Sequence, residues 1–154
     1  MTQTSPDFTL PVTGGSTITL SALRPAPVVL FFYPRDDTSG CTLENQDFTT
    51  LLPQFEAAGV HVFGISADSL ASHDKFMAKK ELTVPLLSDE DAQVCKDFDV
   101  WKEKKMYGKT FWGIERSTFL IGPDGEIARE WRKVKVPGHA QEVLDAATSL
   151  DRPA

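Results

Sequence analysis

Val28-Val29-Leu30-Phe31-Phe32-Tyr33-Pro34-Arg35-Asp36-Asp37-Thr38-Ser39-Gly40-Cys41-Thr42-Leu43-Glu44 is where the chain's architecture is most legible. Val28 to Tyr33 is an unbroken run of β-branched, aliphatic and aromatic residues. Such a run reads as a central strand buried on both faces. Pro34 ends it, because proline cannot donate to a sheet ladder. A short polar loop follows, Arg35 to Gly40, and then a helix predicted from about Cys41 to Ala58. Phe48, Leu51, Leu52 and Phe55 fall at i, i+3, i+4 and i+7, one face of a helix. Gly59 is a suitable stop, and Pro53 predicts a kink within the helix. Cys41 therefore stands where a buried strand hands over to a helix N-terminus.

Working outward, Phe8–Pro11 and Thr17–Leu20 flank Gly14-Gly15 and read as a β-hairpin, since paired glycines supply the positive φ of a tight turn. Val60–Ser66 and Val84–Leu87 read as strands, Ser69–Lys80 and Asp91–Phe98 as helices. Ser117–Ile121 and Glu126–Val134 are strands joined by the turn Gly122-Pro123-Asp124-Gly125, and His139–Leu150 is a closing helix. Strands alternating with helices, then a hairpin and a helix, predict a mixed α/β sheet with helices on both faces.

The 154 residues suit one domain, 1–154, with a single sizeable core. Apolar residues make up 41% and charged residues 25%, and the net charge of −6 argues against a general nucleic-acid partner. No apolar run approaches the roughly 20 residues of a membrane span. The first residues lack the basic start and apolar stretch of a signal peptide. A cytoplasmic chain with no membrane partner is the expectation. Two cysteines, Cys41 and Cys95, are too sparse for a secreted disulfide framework.

The first N–H groups of a helix have no internal partner, and the macrodipole adds positive potential there. Both favour thiolate over thiol, and the thiolate is the nucleophile. Cys41 is thus the candidate reactive residue, although a cysteine can also be a plain buried core residue.

Pro34, Thr38 and Cys41 match the Pro-x-x-x-Thr-x-x-Cys signature of peroxiredoxins. The string Phe32 to Glu44 resembles the bacterioferritin-comigratory-protein, or Q-type, branch. Arg116-Ser117-Thr118-Phe119-Leu120-Ile121 and Met106-Tyr107-Gly108-Lys109 resemble the same branch. The resemblance implies a thioredoxin-like fold with an N-terminal β-hairpin, working as a monomer without a cofactor. It implies a peroxidase for hydrogen peroxide and alkyl hydroperoxides, regenerated by a thioredoxin-like or other thiol. Cys41 would attack the peroxide and become a sulfenic acid. The Thr38 hydroxyl, the backbone N–H groups of Gly40 and Cys41, and the Arg116 guanidinium would steady the charge in flight. Pro34 would shield the pocket and Glu44 would orient Arg116, unless Glu44 is merely a surface acid in the first helical turn.

The resemblance also carries a departure. Q-type members place a second, resolving cysteine five positions after the first or in a Ser-His-Asp-x-Phe-Cys context. Gln46 and Met77 stand at those positions here. Cys95 is the remaining candidate, beside core-like Val94 and Phe98, and an inert core cysteine is the simpler reading. The expectation is a one-cysteine mechanism. A Cys41–Cys95 disulfide, and a redox-sensing or partner-binding module on the same fold, are the alternatives.

Other features suggest less. His61, His73 and His139 lack metal-ligand spacing, so no metal is expected. His73 is expected to face solvent. Lys102, Lys104, Lys105 and Lys109 interleave with Trp101, Tyr107, Phe111 and Trp112. A solvated charged loop, with the aromatics forming a wall for the apolar part of an organic hydroperoxide, is the reading preferred to nucleic-acid stacking.

Overall fold

A computed structural model describes residues 3–150; the ends of the expected 1–154 domain lie outside them. The elements run β1 (Gln3–Thr4), β2 (Thr9–Val12), β3 (Ser16–Thr19), a 3-10 turn (Leu20–Leu23), β4 (Val28–Phe32), α1 (Ser39–Ala57), β5 (His61–Ser66), α2 (Leu70–Lys80), β6 (Leu86–Ser88), α3 (Gln93–Asp97), β7 (Trp101–Met106), β8 (Lys109–Ile114), β9 (Ser117–Ile121), β10 (Glu126–Trp131) and α4 (His139–Thr148). Among the described residues eight strands form one mixed sheet in the order β1-β10-β9-β4-β5-β6-β2-β3, while β7 and β8 pair with each other as a separate two-stranded sheet.

The apolar run of β4 occupies the middle of this sheet. It pairs parallel with β5 and antiparallel with β9. Successive strand side chains point to opposite faces, so β4 feeds two separate cores. Val29, Phe31 and Tyr33 pack with Cys41, Phe48 and Phe55 of α1, Phe76 of α2 and Val143 and Leu144 of α4. Val28, Leu30 and Phe32 pack with Phe8, Leu10, Cys95, Phe98 and Phe119. Helices do flank both faces, but unevenly: α1, α2 and α4 contribute to one core, while the other takes Val94 and Cys95 of α3 together with Leu20 of the 3-10 turn and Ile114 at the root of β7–β8. The two cysteines thereby lie on opposite sides of the sheet.

Most local readings hold within a residue or two. The N-terminal hairpin turns through Gly14 and Gly15, both at positive φ. Helix α1 runs on through Pro53 to a Schellman stop: Gly59, at φ 73°, donates to Glu56, and Val60 donates to Phe55. The stretch from Trp101 to Ile114, read as a charged loop, is instead a regular hairpin whose pairing runs from Trp101↔Ile114 to Met106↔Lys109. No helix among the described residues is long and apolar enough to cross a membrane.

Candidate active site

Helix α1 begins two residues earlier than its apolar spacing suggests. Thr38 is the N-cap and Thr42 is the first residue to donate back, to Thr38 at 2.8 Å. The N–H groups of Ser39, Gly40 and Cys41 are therefore the unpartnered donors of the helix start, and Cys41 sits in its first turn. Its side chain packs in the core beside Phe31, Tyr33 and Phe48, and the residue is only 1% exposed.

Arg116 reaches this thiol from the residue that precedes β9, the strand next to β4. Its Nη2 donates to Cys41 Sγ at 3.4 Å and its Nη1 donates to Glu44 Oε1 at 2.7 Å. The planar guanidinium fork thus ties the sulfur to the carboxylate one turn further along α1. Glu44 is not a surface acid: it is 1% exposed, and its Oε2 is buried without a hydrogen-bond partner among the described residues. Burial pushes its carboxyl up to about 7, although the Arg116 charge pulls the other way. For Arg116 burial works downward, but Glu44 and then Cys41 prevail and hold the guanidinium above its ordinary range.

Gly40 contributes more than its N–H. A Cβ there would stand 3.1 Å from Arg116 Nη2, so only glycine leaves the guanidinium unhindered against the helix start. Nothing in the sequence signals this contact, because Arg116 is remote along the chain.

Thr38 is placed differently from the expectation. Its side chain is exposed, and its hydroxyl donates to the Arg35 carbonyl at 2.9 Å. The turn over 35–38 brings that carbonyl within reach, so the hydroxyl proton is already used and the oxygen's lone pairs remain. Pro34 is half-buried just past the end of β4.

His73 corrects the sequence reading outright. It is fully buried, with Nδ1 2.8 Å from Asp36 Oδ2 and Nε2 donating to the Leu87 carbonyl at 2.9 Å. Tyr33 donates to Asp36 Oδ1 at 2.6 Å, Ser72 to Asp36 Oδ2 at 2.8 Å, and the Asp36 N–H to Asp68 Oδ2 at 2.8 Å. The donor atoms of Asp36, Asp68 and His73 lie within 4.8 Å of one another, as metal ligands would. Yet Asp36, Asp68 Oδ2 and both His73 nitrogens are engaged in hydrogen bonds. The set reads as a polar strut that fixes the loop leading to Cys41.

Cys95, in α3, has the opposite surroundings. It is fully buried, and its backbone N–H donates to Asp89 Oδ2 at 2.8 Å. Burial and then the Asp89 carboxylate push its thiol far above the ordinary range.

Comparison with known proteins places this geometry. The AhpC/TSA family matches residues 1–130. The chain belongs to that family.

Within the family, peroxiredoxin Bcp of Xanthomonas campestris is 52% identical over 140 residues, 91% of this chain and 88% of that one. Peroxiredoxin Bcp of Bacillus subtilis is 44% identical over 148 residues, 96% of this chain and 94% of that one. The structure of Xanthomonas campestris peroxiredoxin Q superposes with a TM-score of 0.88 at 51% identity, covering 92% of this chain and 90% of that one. That protein has also been solved with either of two cysteines replaced by serine. This AhpC/TSA-family chain is a peroxiredoxin, a thiol peroxidase on a thioredoxin-like fold.

Proposed function

We propose that the chain reduces hydrogen peroxide and organic hydroperoxides by a one-cysteine mechanism, with Cys41 as nucleophile and an external thiol as reductant. The observation that carries this reading is the Arg116 fork, joined to Cys41 Sγ on one side and buried Glu44 on the other. The Cys41 thiolate attacks one peroxide oxygen. The O–O bond breaks, its electron pair leaves on the departing oxygen, and a proton completes water or an alcohol. Cysteine is oxidised to sulfenic acid as the peroxide is reduced. Negative charge spreads from sulfur across both oxygens. The N–H groups of Gly40 and Cys41 and the Arg116 guanidinium are fixed beforehand to receive it. Thr38, its proton held by Arg35, accepts from the peroxide O–H, and Pro34 limits the approach of water.

One external thiol then condenses with the sulfenic acid, releasing water, and a second displaces the mixed disulfide. Two observations support an external rather than an internal resolver. Cys95 lies in the core on the far side of the sheet from Cys41. The two cysteines substituted in the Xanthomonas campestris protein lie as far apart in that chain as Cys41 and Met77 do in this one. Where a partner would stand, this chain has a thioether. The range of substrates is supported by a bacterioferritin comigratory protein from the same organism, solved in connection with its alkyl peroxide reduction.

Steady-state turnover with hydrogen peroxide and a thioredoxin-type or small dithiol reductant tests the proposal. Cys95→Ser is expected to turn over as the wild type does, and Cys41→Ser not at all. Loss of turnover in a folded Cys95→Ser would return the resolving role to Cys95.

A further inference from the structure

The β7–β8 hairpin is unlike the rest of the molecule. It stands outside the main sheet and carries four lysines against one glutamate in a chain of net charge −6. It also holds four of the five large apolar side chains that are exposed among the described residues: Met106, Tyr107, Phe111 and Trp112.

Its turn is costly. Met106 pairs with Lys109, leaving Tyr107 and Gly108 as a two-residue loop, both at positive φ, 54° and 75°. Asparagine, aspartate or glycine normally fill such positions. A tyrosine held there costs about 1–2 kcal/mol, and this one is 96% exposed, so no packing within the chain offsets the cost. Strain kept without internal reward points to contact with something else.

The distribution of side chains says what that is. Residues paired across a hairpin share a face. Lys102, Lys104, Met106, Lys109 and Phe111 share one; Glu103, Lys105 and Trp112 share the other. Exposed apolar groups occur on both faces and at the tip, with lysines on both faces. A flat protein partner would meet only one face. A lipid surface surrounds an inserted tip, taking aromatic and thioether groups at headgroup depth while lysines reach anionic headgroups.

We infer that the β7–β8 hairpin docks the protein on anionic bilayers, inserting Met106, Tyr107 and Trp112 at headgroup depth. Insertion stops there, because the unpaired strand edges cannot enter hydrocarbon. The absence of a spanning segment, which suggested no membrane partner, does not bear on such surface docking. The hairpin's root is at the active site: Lys104 donates to the Ile114 carbonyl, and burial and then the Arg116 charge hold its ammonium below the ordinary range. Docking therefore brings Cys41 to peroxidised lipid. Only that consequence rests on the peroxidase reading; the docking does not.

The test is sedimentation of the reduced protein with vesicles of phosphatidylcholine alone or with phosphatidylglycerol added. Binding to the mixed vesicles only is expected, weakening as salt is raised. Lys105→Gln with Lys109→Gln is expected to weaken it roughly 30-fold, by the loss of two lysine contacts, and Tyr107→Ser about tenfold. Hydrogen peroxide turnover, measured separately, is expected to stay at the wild-type level in every variant. Wild type left in the supernatant with both vesicles, or binding indifferent to these substitutions, would overturn the inference. A wild type that ignores vesicles, with Tyr107→Ser slowing turnover by a protein reductant only, would overturn it in favour of a protein-docking face.

Discussion

Cys41 and Cys95 are equally hidden, 1% and 0% exposed, yet the chain builds opposite chemistry around them. Cys41 meets a guanidinium and the open N–H groups of a helix start. Cys95 meets the Asp89 carboxylate, which also receives the N–H of Val94 at 3.3 Å and of Cys95 itself. At Cys95 burial and the carboxylate together oppose a charged sulfur. What separates them is the sign of the charge delivered by a neighbouring element, Arg116 from the edge of β9 in one case and Asp89 from the end of β6 in the other. Burial is common to the two sites; the sign of the neighbouring charge is what differs.

The largest effect is expected from removing the positive side of this contrast. Arg116→Leu takes away the donor to Cys41 Sγ and leaves Glu44 buried and unpaired. It should lower kcat/KM for peroxide by about 10²–10³, the range for losing one fixed donor to a developing anion. Arg116→Lys should recover only part, because a single ammonium cannot span both Cys41 and Glu44. A stopped-flow oxidation rate within threefold of wild type for Arg116→Leu would break the contrast.

Glu44 offers a pH test with a definite sign. Its folded carboxyl titrates at about 7 against an ordinary value of 4.5. The folded protein therefore binds the proton more tightly than the unfolded chain. The associated stability is full below pH 4.5 and is lost as pH rises toward 7, a change on the order of 3 kcal/mol. Denaturant midpoints of wild type and Glu44→Gln should diverge across that window, with the wild type losing stability faster. Parallel curves would mean that the carboxyl is already ionised throughout.

A gentler intervention sharpens the other side. Asp89→Asn keeps one oxygen, able to accept the shorter bond from the Cys95 N–H, gives up the longer one from Val94 and removes the negative charge beside Cys95. The Cys95 thiol should then titrate lower than in wild type, read from the pH dependence of its alkylation in a Cys41→Ser background, while still failing to react with peroxide. The smallest change expected is for Gly40→Ala, whose new methyl must displace Arg116 Nη2 by a few tenths of an ångström. A loss of about two- to tenfold in oxidation rate without loss of folding is the outcome to look for.

Much of this site was readable in the chain, and the limits are physical. Strand β4, the entry to α1 and the turn at Gly14-Gly15 follow from local chemistry, and Cys41, Glu44 and Arg116 are set in motifs. His73 was misread because its sequence neighbours are polar, while its partner Asp36 lies 37 positions away and becomes a partner only when α2 packs beside the β4–α1 loop. The β7–β8 hairpin escaped because Lys102-Glu103-Lys104-Lys105 shows no apolar alternation and Tyr107-Gly108 is an unusual turn pair. Gly40's contact with Arg116 joins residues too remote for any local pattern. The unequal covering of the two sheet faces likewise emerges only from topology.

Cys41 alone is proposed to carry the peroxide chemistry. This is tested most directly by the intact mass of fully reduced protein after brief exposure to stoichiometric hydrogen peroxide, with Cys41→Ser and Cys95→Ser alongside. Wild type and Cys95→Ser are expected to gain one oxygen, and Cys41→Ser to stay unchanged. A loss of two hydrogens that either substitution abolishes would contradict this and join the two cysteines across the sheet.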